Sequence, residues 1–145
     1  MIKKIPPFIA LTISFLLSAV QTSKALDLTV YVTNLRSAKG EIHFAIYDNP
    51  ELFPMRSGKL SGTKVSAKLN EVTTIFKGLE PGTYAVAIYH DENENGKFDR
   101  GFLGIPIEGY AFSKDASVFL GPPSFNDASV ILKDGATSIT IKMDY

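Results

Sequence analysis

Beyond residue 25 the chain alternates. Leu26, Leu28, Val30 and Val32 are separated by Asp27, Thr29 and Tyr31. A spacing of two is the period of a strand, and a strand with one apolar side buries only that side. The pattern returns in Ile42, Phe44 and Ile46, in Val65, Ala67 and Leu69, and in the β-branched run from Val72 to Lys77. It returns again in Tyr84, Val86 and Ile88, in Val130 and Leu132, and in Ile139, Ile141 and Met143. No stretch here shows the spacing of an amphipathic helix. Turn residues stand between the runs: Ala38-Lys39-Gly40, Asp48-Asn49-Pro50, Pro81-Gly82 and Asp134-Gly135-Ala136. In the third of these, Pro81 presets the first corner and Gly82 is expected to supply a positive φ at the second. Seven short strands, each apolar on one face, predict an all-β, seven-stranded antiparallel Greek-key β-sandwich. A closed barrel is the alternative. The chain has no cysteine, so its core must hold it without disulfides and no thiolate can bind a metal.

The start of the chain reads as an address. Lys3 and Lys4 precede a charge-free apolar run from Phe8 to Val20, and Ser23-Lys24-Ala25 places small residues before a cleavage point. This is the layout of a secretory signal peptide over residues 1–25, leaving residues 26–145 as one exported domain, periplasmic or secreted. The run is shorter than the roughly 20 residues a membrane span needs, and no stable span is expected after cleavage. An uncleaved anchor or a buried helix is the other reading. Lys and Arg number 15 and Asp and Glu 15. Three of the cations, Lys3, Lys4 and Lys24, precede residue 26, so residues 26–145 carry 12 basic and 15 acidic side chains, a net charge of −3. That balance argues against nucleic acid as a partner.

Two long stretches interrupt the alternation, Asp48 to Gly62 and Asp91 to Asp127, and gaps of such length in a small domain are commonly functional. The second opens with Asp91, Asn93, Asn95, Gly96, Lys97 and Asp99, in the order D-x-N-x-N-G-x-x-D. Oxygen-bearing side chains at alternate positions suit a hard cation, and Gly96 permits the sharp turn. Asp91, Asn93, Asn95 and Asp99 would give side-chain oxygens and Lys97 its backbone carbonyl, with calcium as the cofactor. Position 12 of such a loop is Phe102, where a bidentate Glu belongs, so Asp48, Glu108, Asp115 or Asp127 would have to close the shell. With two charged side chains, Asp91 and Asp99, among the ligands, affinity is expected to be weak, about 10⁻⁴–10⁻³ M. A self-capped Asx-rich turn is the competing reading.

His90 precedes this loop and could carry a proton or bind a ligand; the plainer reading is a hydrogen-bonded residue at the rim of the core. His43 reads as solvated on the outer face of its strand. Phe102, Tyr110, Phe112, Phe119 and Phe125, within a Gly- and Pro-rich segment, can form a ligand platform, with His90, Tyr110, Phe112 and Phe125 as the candidate binding residues, or plug the open end of a sandwich. The partner expected is a small molecule, a glycan or a protein. No lipase elbow, zinc-helix motif, phosphate loop or dinucleotide fingerprint is present.

The run Phe76-Lys77-Gly78-Leu79-Glu80-Pro81-Gly82-Thr83-Tyr84 resembles a corner of transthyretin-like and carboxypeptidase-regulatory-like sandwiches. Three further blocks resemble a family of uncharacterised exported bacterial proteins, domain of unknown function 2141: Tyr89 to Asp99, Phe102 to Pro106 with Glu108-Gly109-Tyr110, and Gly121 to Phe125 with Asp127-Ala128. The resemblance implies an exported sandwich of immunoglobulin-like or transthyretin-like type and brings no activity with it. Two functions therefore stand: a non-enzymatic, calcium-braced binding or interaction module, and a small periplasmic hydrolase of the transthyretin-like type using His90. The chain ends Lys142-Met143-Asp144-Tyr145 and lacks the Tyr-Arg-Gly-Ser tail of the hydroxyisourate hydrolases, which weighs against the second.

Overall fold

A computed structural model describes residues 24–145; the charged start and apolar run of the expected export signal lie outside the described residues. Eight strands form: β1 (Leu26–Leu35), β2 (Glu41–Tyr47), β3 (Ser61–Ser66), β4 (Asn70–Leu79), β5 (Gly82–Asp91), β6 (Tyr110–Phe112), β7 (Ser129–Leu132) and β8 (Thr137–Lys142). One turn of helix, α1 (Phe125–Ala128), precedes β7. No described helix is long and apolar enough to cross a membrane.

Two sheets pack face to face. One has the order β4-β1-β8; the other has the order β3-β2-β5-β6, with β7 also paired to β5. The apolar sides of the alternating runs meet between them: Leu28, Val30 and Val32 from β1 face Ile42, Phe44 and Ile46 from β2 and Val86 and Ile88 from β5. Period two locks this register. A slip of one residue in β1 would expose three side chains now fully buried, at a cost of roughly 1.5–3 kcal/mol each.

The structure corrects the expected architecture in three respects. The strands are eight rather than seven, because Tyr110–Phe112 pairs with the upper half of β5 while β7 takes the lower half. The sheets are not wholly antiparallel: β8 runs parallel to β1, pairing Leu28 with Thr137 through Thr33 with Lys142, which departs from an all-antiparallel Greek key. The left-handed residue before β5 is Gly78, at φ 72°, and not Gly82. Gly78 sits where the β1–β4 register shifts, and its N–H donates to Asp27 Oδ1 at 3.1 Å, so its freedom serves a bulge rather than the corner.

The outer face of the five-stranded sheet is the informative one. Even-numbered residues of β2 and β5 enter the core, which turns His43, Ala45 and Tyr47, and Ala85, Ala87 and Tyr89, outward. A second cluster closes one end of this face: Tyr47, Phe53, Ala85, Phe125 and Ala128, with Phe53 edge-on to Tyr47, Phe112 and Phe125. The two long connections thus fold over the sheet and leave part of it open.

Candidate functional site

Strand register builds the open part row by row. Gly62, Ala45, Ala87 and Phe112 stand side by side across β3, β2, β5 and β6. Three of those four residues have almost no side chain, so the row is a trough. The next row holds Lys64, His43, Tyr89 and Tyr110 and forms a wall. The His43 ring stacks on Tyr89 with centroids 4.5 Å apart and planes 18° from parallel. Phe98 adds an aromatic edge 5.8 Å from Tyr89 and 5.7 Å from Tyr110. The resulting cavity is about 670 Å³, a size suited to a small molecule.

Charge is distributed unevenly around it. Arg56, Lys59, Lys64, Lys97 and Arg100 line the cavity, and no Asp or Glu does. Lys64 is paired with Glu41 at 2.7 Å. Among the described residues the other four cations make no ion pair, and the Arg100 guanidinium lies 5.3 Å from the Phe98 ring centre. Burial pushes the Tyr89 phenol up from its ordinary range, and the nearby Asp91 carboxylate pushes it the same way. Tyr89 is therefore a neutral hydroxyl at neutral pH, able to donate a hydrogen bond.

The Asp91–Asp99 loop supplies three groove residues, Gly96, Lys97 and Phe98, and is held by its own side chains. Asp91 is buried, accepting the Asn95 N–H at 3.1 Å and the Gly96 N–H at 2.8 Å. Asn93 Oδ1 accepts the Asn95 N–H and Asn95 Oδ1 the Lys97 N–H, both as Asx turns. The two carboxamide nitrogens converge on Asp99 Oδ2, each at 2.7 Å. Glu108, buried, clasps the loop's base by accepting the Glu92 N–H at 3.2 Å and the Asp99 N–H at 3.0 Å. Gly40 allows the β1–β2 turn to pass beneath this base: at φ 70°, a Cβ there would stand 1.9 Å from the Asp91 carbonyl oxygen.

Asn93, Asn95 and Asp99 are thus brought together, with Asp91 turned inward to the backbone. The carboxamides meet Asp99 through nitrogen, and an ion would need them turned about to present oxygen. Of the four acids that could close a shell, Glu108 lies at the loop; Asp48 follows β2 at the end opposite the Glu41–Asp91 pairing, Asp115 accepts the Lys142 N–H and Asp127 caps α1 with Ser124. Among the described residues no three His, Asp or Glu side chains gather closely enough to hold a metal ion.

The remaining candidates separate. Tyr110 and Phe112 line the groove. Phe125 is buried against Phe53 in the end cluster. His90 is fully buried on the core side. Its Nε2–H donates to the Lys39 carbonyl at 2.7 Å, which leaves Nδ1 to accept the Tyr145 hydroxyl at 2.8 Å. That hydroxyl accepts the Arg36 N–H at 3.2 Å, and the Arg36 guanidinium lies 4.3 Å from the Tyr145 ring centre and pairs with Glu92. Both His90 nitrogens are therefore committed to structure.

The groove histidine is His43, which is not freely solvated. Its Nε2 is shut off from water, 3.3 Å from Asp91 Oδ2 and 3.8 Å from Glu41 Oε2, without hydrogen-bond geometry to either. From the sequence, His43 reads as solvated and Lys97 only as a carbonyl donor, and no ligand role falls to Tyr89, Phe98, Arg56, Lys59, Lys64 or Arg100. The available signal was the small outward residues Gly62, Ala45 and Ala87, flanked two positions away by Lys64, His43 and Tyr89.

No curated protein and no solved structure matches the chain. A family model described as an uncharacterized protein conserved in bacteria (DUF2141) matches residues 30–140, from within β1 into β8 and including the whole groove, and the chain belongs to that family.

Proposed function

We propose that this chain is an exported, non-enzymatic binding module whose groove takes an anion attached to a flat or apolar body. The observation that carries the reading is the pairing of an aromatic wall with five cations and no acid, in a segment 26–145 whose net charge is −3. The Gly62-Ala45-Ala87 trough admits a thin body, Tyr89 and Tyr110 offer faces and hydroxyls, and the unpaired cations meet the charge. Export rests on Lys3, Lys4, the apolar run and Ser23-Lys24-Ala25. Calcium enters as a weak brace: with Asn93 and Asn95 turned to present oxygen beside Asp99, an ion would stiffen the loop that holds Lys97 and Phe98.

The test uses anilinonaphthalene sulfonate, an aromatic anion that fluoresces when sheltered from water, beside its neutral relative phenylnaphthylamine. Saturable binding of the sulfonate is expected, weakened about tenfold by Lys59→Glu with Arg100→Glu, while the neutral compound is affected far less. Ala87→Phe, which fills the trough, should abolish both. Equal affinity for the two compounds, or indifference to Ala87→Phe, would discard the reading.

A further inference from the structure

Four large apolar side chains stand more than four-fifths exposed among the described residues: Phe102 at 86%, Leu103 at 82%, Phe119 at 84% and Leu120 at 97%. They occupy two loop tips. The first tops a narrow hairpin, Asp99 to Ile107, tied by the Arg100–Pro106 bridge and by the Ile107 N–H donating to the Asp99 carbonyl at 3.2 Å. Ile105 and Ile107 on the same hairpin are also exposed. The second tip lies at Val118–Leu120. Both rise from one rim, because Arg100 and Pro122, each two residues from a tip, line the same groove.

The backbone adds an independent point. Leu103 sits at φ 61° and Leu120 at φ 54°, in the left-handed region where a branched aliphatic residue is disfavoured and Gly, Asn or Asp is at ease. Folding alone would be better served at both apices by Asn. Leucine there costs backbone energy and leaves apolar surface in water, so its use lies outside the fold.

We infer that the two tips insert into an anionic lipid surface. Their shape selects this occupant: convex knobs on separate loops suit a medium that yields, whereas a protein partner needs a broad fitted patch. Charge selects the lipid type, since Lys97 and Arg100 at the root of the first hairpin are exposed and without ion pairs among the described residues. The groove would then open toward the headgroups. Insertion does not depend on what the groove binds.

Sedimentation with vesicles tests it. The protein should pellet with phosphatidylglycerol vesicles and far less with phosphatidylcholine. Leu103→Asn with Leu120→Asn should weaken that binding at least about tenfold while melting at the same or a higher temperature, and should leave the sulfonate probe's affinity unchanged. Lys97→Gln with Arg100→Gln should erase the preference for the anionic lipid. Failure to pellet with either vesicle, retention of binding by the double asparagine variant, or a wild-type dimer that this variant converts to monomer would each overturn the inference, the last in favour of a second copy of the chain.

Discussion

His43 and His90 lie on the same two paired strands and face opposite ways. The odd residue turns toward the groove and the even one toward the core. His90 then serves a purely internal purpose, joining the β1–β2 turn, through the Lys39 carbonyl, to Tyr145. His90→Ala would leave the Lys39 carbonyl without its donor, the Tyr145 O–H without its acceptor and a void behind, lowering stability by roughly 2–4 kcal/mol in urea unfolding, with affinity for the sulfonate probe unchanged. His90→Asn, which can keep one hydrogen bond, should lose less. A loss of probe binding at full stability would instead move His90 into the site. Nearby, the Arg36 guanidinium beside Glu92 holds its carboxyl below the usual carboxylate range, with the Ser37 hydroxyl helping. A carboxyl lowered on folding adds stability that is complete above its unfolded value, about 4.3, and is lost as pH falls through the lower folded value. Below about pH 4.3 the wild type should therefore lose stability more steeply than Glu92→Gln; parallel curves would show that this partly exposed pair contributes nothing.

Elements differ in how far they were legible in advance. β1, β2 and β5 are long enough for their alternation to name both faces, and the residues expected inward are those buried. β6 is three residues long, too short for any periodicity, and exists because β5 offers it an unpaired edge. The parallel β1–β8 pairing joins the two ends of the domain, and nothing local in either segment encodes direction. β3 was displaced for a related reason: Leu69 continues the alternation of Val65 and Ala67, yet pairing with β2 places the strand at Ser61–Ser66 and leaves Leu69 exposed. The Asp91–Asp99 loop was legible as an Asx-rich turn whose Asn oxygens cap its own backbone, and its internal hydrogen bonds set how much an ion could add. For a Kd on the order of 10⁻³ M, about 5 mM calcium would stabilise the fold by about 1 kcal/mol, a rise of about 3–5 °C in melting temperature over chelator. Asp99→Ala should remove that rise. An identical midpoint with calcium and with chelator would leave the Asx turns and the Asp91 and Glu108 hydrogen bonds as the loop's whole support.

At the scale of the molecule, charge is segregated. Residues 26–145 carry 12 basic side chains, and five of them line one cavity; none of the 15 acidic ones lines it, although Glu41 pairs with Lys64 and Asp91 lies 3.3 Å from His43 Nε2. The rim residues come from three segments, Arg56 and Lys59 from the β2–β3 connection, Lys64 from β3, and Lys97 and Arg100 from the β5–β6 connection, so the cluster exists only after β2, β3 and β5 have paired and both long connections have folded over them. This is why the clustering of the cations escaped a reading of the chain in one dimension, although Tyr110 and Phe112, which line the groove, did not. An approaching anion meets an electronegative body with one attractive opening, and the interaction is long-ranged where the rim faces water. Lowering ionic strength from about 150 to 10 mM lengthens the screening distance from about 8 to 30 Å, which exceeds the reach of the groove itself. At low salt the rim is felt before contact, but the distant acids are felt as well. Association of the sulfonate probe, followed by stopped flow, should therefore quicken several-fold as salt is lowered and then level off or reverse as repulsion from the rest of the surface reaches the ligand. Dissociation should change much less, because the aromatic contacts are short-ranged. If instead salt acted wholly on dissociation, the cations would be holding the ligand at contact rather than drawing it in, and the segregation of charge across the molecule would have no part in recognition.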